Sequence, residues 1–567
     1  MKMNNFKSGI TIAVSILIFV MLLLIFGRQN ILQNREMNIK QTDSSDTVNK
    51  DPLGKYNPTI EISFVRAVDD DILNNILPDT HGETIENNRW LTLYREQLGI
   101  DIKYKWTVKG GYNEDDYNKK INVTIASGNL PDVMPVNAYQ LKQLSDSGMI
   151  EDMTSYYNDY ASQLTNSIYN QAGKSILESA TNDGRLMALP NADSSIESAQ
   201  FLWLRADWLK NLGLKPPKTM DELLQISHEF TKNDPDGNGK DDTYGLAITK
   251  YLYNTCMGLE GFFAGYHSYP NFWHEDETGK LVYGSIQPET KIALEKLSEM
   301  YRDGQIDKEF SVKDIQNVAQ EISKGKCGIQ FGEQWNPMYP LISNFNNDNN
   351  ADWTSYSLVS ADGRQVMVPL KFRTNLYFAV RKGYSNPEAV VKMINLFLEK
   401  TWGKTNEFDK YYMPVENNNL GVWKYSPVTP HPQYKNLTAY MELEKARQNN
   451  NFSILEGEPK IIQSNIEAYS KGDKLQWGWD KIYGVKGVFS ILKKYQEDNI
   501  LIYEGFAGFP TKTMAEKKEV LHEYEKEEFI KIIMGAAPID RFDVFVENWN
   551  KMGGEAITKE VNNKRGK

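Results

Sequence analysis

From residue 58 the chain alternates between two hydrophobic periods, and this alternation limits the folds open to it more than any other feature. Residues 59–68 (TIEISFVRAV) alternate as a strand, 86–99 (ENNRWLTLYREQLG) carry helical spacing and stop at glycine, and 100–108 (IDIKYKWTV) form a second strand. Residues 115–128 (DDYNKKINVTIASG) read as another helix with a glycine stop, and 130–136 (LPDVMPV) as a short buried strand. Strand, helix, strand, helix, strand predicts a parallel α/β layer, because parallel neighbours need crossovers that helices supply. A second such region begins near residue 199. FLWLRADWLKNLGL, helix-like around LWLRADWL, ends in Gly213, and PPKTMDELLQISHEFTK opens a helix with Thr219 as cap and Glu222 three residues on. Trp203 and Trp208 on the first of these segments are expected in the core. No internal repeat is visible, and the one biased stretch is the Asn-rich loop 343–352.

At 567 residues the chain has enough length for two to four domains or two large lobes. Its 64 Lys and Arg against 75 Asp and Glu leave a formal net charge of −11, with no long basic run before the last few residues, which excludes a nucleic-acid binder. Aromatic residues reach 12%, a level that suits a soluble body with flat, adhesive surfaces. Two cysteines, Cys256 and Cys327, build neither a disulfide framework nor a Cys-rich metal site; they read as two small buried thiols, with one bridge open to them outside the cytoplasm.

Residues 10–26 (ITIAVSILIFVMLLLIF) are uncharged and mostly apolar, behind Lys2 and Lys7. As a helix they span about 26 Å, close to the ~30 Å hydrocarbon core of a bilayer. The run is a signal peptide or a signal anchor. The absence of a small-x-small cleavage site before Gly27, Arg28, Gln29 and Asn30 favours an uncleaved anchor with the body outside, and no cysteine nearby offers a lipid attachment. Residues 1–28 are therefore assigned to a membrane anchor or signal and 29–57, polar and without hydrophobic period, to a flexible tether.

The sharpest local motif is the loop Asp234, Pro235, Asp236, Gly237, Asn238, Gly239, Lys240, Asp241, Asp242. Oxygen donors at relative positions 1, 3 and 5 (Asp234, Asp236, Asn238), glycine at 6, a backbone carbonyl at 7 (Lys240) and a carboxylate at 9 (Asp242) follow the first three quarters of an EF-hand loop. The twelfth position is Gly245, not a bidentate Glu, so a cation here needs another group to complete its shell. The plain alternative is a turn, for which Asp, Asn and Gly are favoured on local grounds.

Several stretches taken in order, ASGNLPDVM, LSDSGMIEDMT, GRLMALP, LWLRADWLKNLGLKPPKTMDEL, NDPDGNGKDDTYGL, LSEMYRDGQIDKEF, SKGKCGIQFGEQW, NPEAVVKMINLFL and the tail FIKIIMGAAPIDRFDVFVENWNKMGGEAITKEVN, resemble the extracellular solute-binding proteins, family 1, of sugar ABC transporters. The nearest branch is the large oligosaccharide-binding type of Gram-positive bacteria, similar to alginate-binding proteins. A lipobox cysteine usual in that family is missing near the start. The resemblance implies an α/β fold: a two-lobed, periplasmic-binding-protein-like (type II) clamp with discontinuous lobes behind one N-terminal hydrophobic helix, residues 58–194 plus 326–370 in the first lobe and 195–325 plus 371–567 in the second. It implies the substrate-binding component of an ABC importer, a monomer on the outer face of the cytoplasmic membrane that captures an oligosaccharide by hinge closure and hands it to the permease subunits. In that family such a loop as 234–242 holds a structural Ca²⁺, which is the cofactor expected here.

A pyranose offers an apolar face and a rim of hydroxyls, so its sites join aromatic rings to amide and acidic side chains. Trp335, Gln334 and Glu333 in GEQWNP are candidates because a tryptophan there faces the cleft in the family. Asn137, Tyr139 and Gln140 follow a strand's carboxyl end, where α/β folds place ligands. Asn191 and Asp193 stand at the expected first crossover; Tyr253, Trp273, Trp477 and Trp479 are further candidates, each with core packing as its alternative. Tyr412 and Trp423 have no context that decides. A glycosidase or lyase is the rival class, since acidic pairs are plentiful, but no nucleophile elbow, HExxH, P-loop or dinucleotide fingerprint occurs, and the six histidines stand singly. A peptide-binding or sensory clamp is the third reading. No catalytic residue is assigned.

Overall fold

Helices begin and end where side chains satisfy their free backbone groups. Asn88 accepts the amides of Trp90 and Leu91 at 3.1 Å to start the helical segment 89–98, and Gly99, in the left-handed region, ends it. Asp115–Ser127 stops at left-handed Gly128, and Met220–Lys232 starts where Thr219 Oγ accepts the Glu222 amide. The computed structural model of the protein describes residues 50–565 apart from 172–174, 415 and 417–419; the apolar run 10–26 and most of the tether lie outside these. Among the described residues no helix is long and apolar enough to cross a membrane.

The fold is mixed α/β. Ile60–Val68 and Ile100–Lys109 pair in parallel, Ile60 opposite Ile100, with the register shifting between Phe64 and Val65. Of the strands expected to form this first layer, only these two pair in parallel. Val133–Val136 pairs antiparallel with Tyr377–Val380, which also takes Leu189–Pro190. A five-stranded sheet runs Trp353–Tyr356, Phe201–Arg205, Cys327–Gly332, Tyr244–Leu246, with Cys256–Gly258 also on Cys327–Gly332, and only the Tyr244–Leu246 pairing in it is parallel. The antiparallel partners come from distant parts of the chain, so local alternation carried no sign of them.

FLWLR (Phe201–Arg205) is a strand, with the helix Ala206–Asn211 behind it, rather than the helix its spacing predicts. Every residue of the strand is buried, and a fully buried strand shows no period of two to set it apart from a helix. Trp203 and Trp208 are both 0% exposed, in the core as expected. The thiols of Cys256 and Cys327 are buried and free. Cys256 lies opposite Gly332, so along the strand it stands five residues from Cys327, roughly 16 Å and far beyond disulfide reach.

Two large hydrophobic cores form, beside a small cluster of Phe408, Tyr412 and Ile461. One gathers side chains from 62–192 and 377–428, with Phe509; the other gathers 196–370 and 437–561. This corrects the partition expected from sequence. Residues 327–370 belong to the second core, because Cys327–Gly332 hydrogen-bonds to Phe201–Arg205, and the segment that returns to the first core is 377–428.

Gly328 sits where the rings of Phe230 and Trp208 would lie 2.4 and 2.6 Å from an added Cβ. Gly328→Ala overpacks this layer and should lower stability by about 1–3 kcal/mol, read as a drop in melting temperature.

Candidate functional site

The chain passes between the cores three times, near residues 192–196, 370–377 and 428–437. These crossings are laced together by side chains. Asn191 Oδ1 accepts the Thr429 amide (3.1 Å), Thr374 Oγ1 accepts the Asp193 amide (3.2 Å), Ser198 Oγ accepts the Lys371 amide (2.8 Å), and Gln433 Oε1 accepts the Ser195 amide (3.0 Å). Gln433 also donates to the Asp193 carbonyl, and Ser194 donates to that of Gln433. None of these amides is bonded within a helix or sheet, Ser195 being the first residue of the short helix Ser195–Ser198, so a side chain completes what secondary structure leaves open.

Along the crossings run three contiguous cavities. The first, about 420 Å³, is walled by aromatic rings: Trp549 stacks on Tyr283 (centroids 4.9 Å, 8° between planes), Trp273 tilts against Tyr283 at 5.3 Å, and Tyr139, Phe372 and Phe506 complete the wall. Glu504 accepts the Trp273 amide at 2.8 Å there, and burial pushes its carboxyl up to about 7. The second, about 400 Å³, shares Lys371, Phe372 and Asn375 with the first and adds Asp193, Gln200, Tyr253, Glu260, Glu333 and Arg373. Its cations are paired: Lys371 with Glu260 at 2.7 Å, and Arg373 with Glu333, whose other donor is the Trp335 indole at 2.9 Å. Burial pushes the Glu333 carboxyl up against the opposing pull of Arg373. The third, about 320 Å³, shares Asp193 with the second; Tyr412 and Trp423 stack in it at 5.7 Å and 16°, beside Asn191, Glu197, His431 and Lys435. Burial raises Glu197 to about 7 and, with Lys435 adding to it, lowers His431 to about 4.

Of the residues proposed from sequence, Tyr139, Trp273, Tyr253, Glu333, Asn191 and Asp193 line these cavities. Asn137 lines the first but spends its amide as a helix cap, accepting from the amides of Tyr139 and Gln140 at 3.0 Å. Gln140 returns the bond to the Asn137 amide and donates to Asn118 and Asn122, lining an open groove on the far side of Tyr139. Gln334 is buried, and Trp335 touches the site through Glu333. Trp479 stacks on Tyr483 and Trp477 packs on Phe345 in the second core, and neither lines a cavity described here. Sequence reasoning did not find Tyr283, Trp549, Gln200, Glu260, Lys371, Arg373 or Glu504. Trp549 lies in the distinctive tail, and nothing local distinguished it from a core ring.

In the loop 234–242 the expected donors turn inward. Asp234 accepts the Asn238 and Gly239 amides at 3.1 and 2.9 Å, Asp236 accepts the Asn238 side chain at 2.8 Å, and Asn238 accepts the Lys240 amide at 2.8 Å. Lys326 pairs with Asp242. Burial, followed by Asp234, pushes the Asp236 carboxyl up, so the acidic groups crowd one another. As they stand, no three His, Cys, Asp or Glu side chains among the described residues are gathered to hold an ion, although the oxygen donors suit a hard cation. A Cβ at Gly245 would lie 1.9 Å from Ser227 Oγ, so packing of Met220–Lys232 on Tyr244–Leu246 excludes the twelfth-position glutamate of an EF-hand.

Behind the first two cavities, Glu525 is 0% exposed and accepts from Tyr253, Tyr283 and Ser285 hydroxyls at 3.0, 3.1 and 2.8 Å. Burial raises its carboxyl from 4.5 to about 7. Between these values the folded chain holds a proton that the unfolded chain has lost, so stability falls as pH rises through this window and stays lower above it. Glu525→Gln should remove that fall, losing about 2–3 kcal/mol less than the parent between pH 4.5 and 8 in denaturation titrations.

The family model described as "Bacterial extracellular solute-binding protein" matches residues 89–404. The chain is 25% identical over 505 residues to "Lipoprotein LipO" of Bacillus subtilis, covering 83% of this chain and 88% of that one. It is also 25% identical over 452 residues to "Polygalacturonan/rhamnogalacturonan-binding protein YtcQ" of the same organism, covering 78% and 82%. Among solved structures, the S. pneumoniae ABC-transporter substrate binding protein FusA in complex with kestose superposes with a TM-score of 0.61 at 17% identity, over 89% of this chain and 99% of that one. With the matched segment spanning more than half its length, the chain belongs to the bacterial extracellular solute-binding proteins, a family of extracytoplasmic binders rather than enzymes.

Proposed function

We propose that the protein is the substrate-binding component of an ABC importer, capturing an oligosaccharide in the cavities at the three crossings and presenting it to a membrane permease. The observation that carries this reading is the row of aromatic walls and hydrogen-bonding side chains laid along the segments that join two separate cores. Trp549, Tyr283 and Trp273 give flat faces for sugar rings, and Asn271, Asn375 and Glu504 give partners for hydroxyls. Two of the relatives above carry a saccharide in their names, in support.

In this reading the two cores are the two lobes of the clamp, and ligand touching both favours the closed form by its differential affinity. The chain acts as a monomer, and residues 10–26 anchor it by a single helix with the body outside. Titration calorimetry of the protein with a library of plant and bacterial oligosaccharides tests the function. Heat without cleavage products is expected, and Trp549→Ala should weaken binding about 10-fold or more by removing a stacking surface. Cleavage products, or no binding across the library, would refute it.

Ca²⁺ in the loop 234–242 belongs to the same proposal. Asp234, Asp236, Asn238, the Lys240 carbonyl and Asp242 would hold it, with Asp242 released from Lys326, and the ion would pin the end of Met220–Lys232. Calcium should raise the melting temperature and a chelator should lower it; an unchanged value in both would remove the metal from the account.

A further inference from the structure

Resting on the oligosaccharide reading, we infer that the bound chain is neutral, its hydroxyls donating to the unpartnered oxygens of Gln200, Glu260 and Glu197, and that uronic-acid chains are rejected.

Two observations meet in this assignment. The first is the state of the cations. Lys371 and Arg373, which line the second cavity, are paired with Glu260 and Glu333, and Lys435 in the third is paired with Glu458 at 2.7 Å. Each is held by a protein carboxylate, so a ligand carboxylate would have to displace one, leaving an acid buried beside it. Lys518 stands exposed at the edge of the first cavity, where water screens it. The histidines offer no substitute charge: burial lowers both His431 and His522, keeping them neutral at neutral pH.

The second observation is the kind of polar atom left over. Gln200 and Glu260, 4% and 5% exposed, line the second cavity, and Gln200 Oε1 and Glu260 Oε2 have no hydrogen-bond partner; Glu197 Oε1, in the third, has none either. Gln200 Oε1 is an acceptor and so is the Glu260 carboxylate that holds Lys371, while Glu197, which burial raises to about 7, accepts in its ionised form. A sugar hydroxyl donates to such an oxygen, whereas an ionised carboxylate only accepts and would face them with like polarity. A buried acceptor without a partner carries a desolvation penalty that a hydroxyl removes, and a carboxylate standing in the place of a C6 hydroxymethyl group cannot.

The test pairs neutral and acidic probes on the full chain. Calorimetry is run with partial digests of fructan, xylan, galactan and arabinan, and with tetragalacturonate alongside the same tetramer after its carboxyls are reduced to hydroxymethyl groups. At least one neutral chain is expected to bind, and no uronate chain within 10-fold of it. Gln200→Leu should weaken the neutral chain about 10-fold or more. It should leave the melting temperature of the unliganded protein undiminished, because Oε1 has no partner there and the amide makes only a 3.4 Å contact with the Ser198 carbonyl. A uronate chain binding as tightly as any neutral one would overturn the charge assignment while leaving the oligosaccharide reading in place. No binding by any probe would remove both.

Discussion

Three passages of chain through one narrow zone set the conditions for everything else in this molecule. Residues 192–196, 370–377 and 428–437 connect two cores that share almost no side chains, and several of their backbone amides are satisfied by side chains rather than by helix or sheet. Gln433 alone engages Ser194, Ser195 and Asp193, and Asn191 and Thr429 clasp each other from two different crossings. Such a zone must be rich in Ser, Thr, Asn and Gln, so hydrogen-bonding side chains are concentrated where a ligand would lie. The binding surface proposed above is in part a by-product of holding the crossings together.

The cavity walls reach back into both cores. Tyr283 stacks on Trp549 in the first cavity, Tyr253 lines the second, and both hydroxyls end on Glu525, so one buried carboxyl braces two walls. Ion pairs play a similar role. Lys371–Glu260 and Arg373–Glu333 tie the second crossing to residues of the second core's sheet region, and their cost in desolvation is tolerated because each group is held by a specific opposite charge. Rings and charges thus divide the work: rings supply area, and paired charges fix position.

The local pattern of the sequence reached the elements whose ends are marked by their own residues. Helix 115–127 was legible because Gly128 stops it, and Met220–Lys232 because Thr219 caps it. What it could not reach was any feature set by distant partners. Phe201–Arg205 looks helical until Cys327–Gly332 and Trp353–Tyr356 are laid on either side of it, and 377–428 gives no hint that it returns to the first core. The site shows the same division. Tyr139, Tyr253, Trp273 and Asp193 were named from residue type and position, but Asn137 and Gln140, named on the same grounds, use their amides to start a helix. Pairing of Lys371 and Arg373 with carboxylates more than 35 residues away was beyond any reading of spacing.

Phe509 stands apart from this arrangement. It follows Leu501–Tyr503 and precedes the helix Lys512–Ile533, both packed with the second core, yet its ring is 2% exposed within the first. Lys142 and Lys564 lie 5.8 and 5.7 Å from the centre of that ring, and Lys564 also holds its carbonyl at 2.6 Å. If the halves swing apart, this phenylalanine must either travel with the half it is not covalently next to or surrender its apolar area to water at about 2 kcal/mol. One aromatic plug would then set the resting angle of the jaws, acting as a mechanical detent whose strength a single substitution could tune.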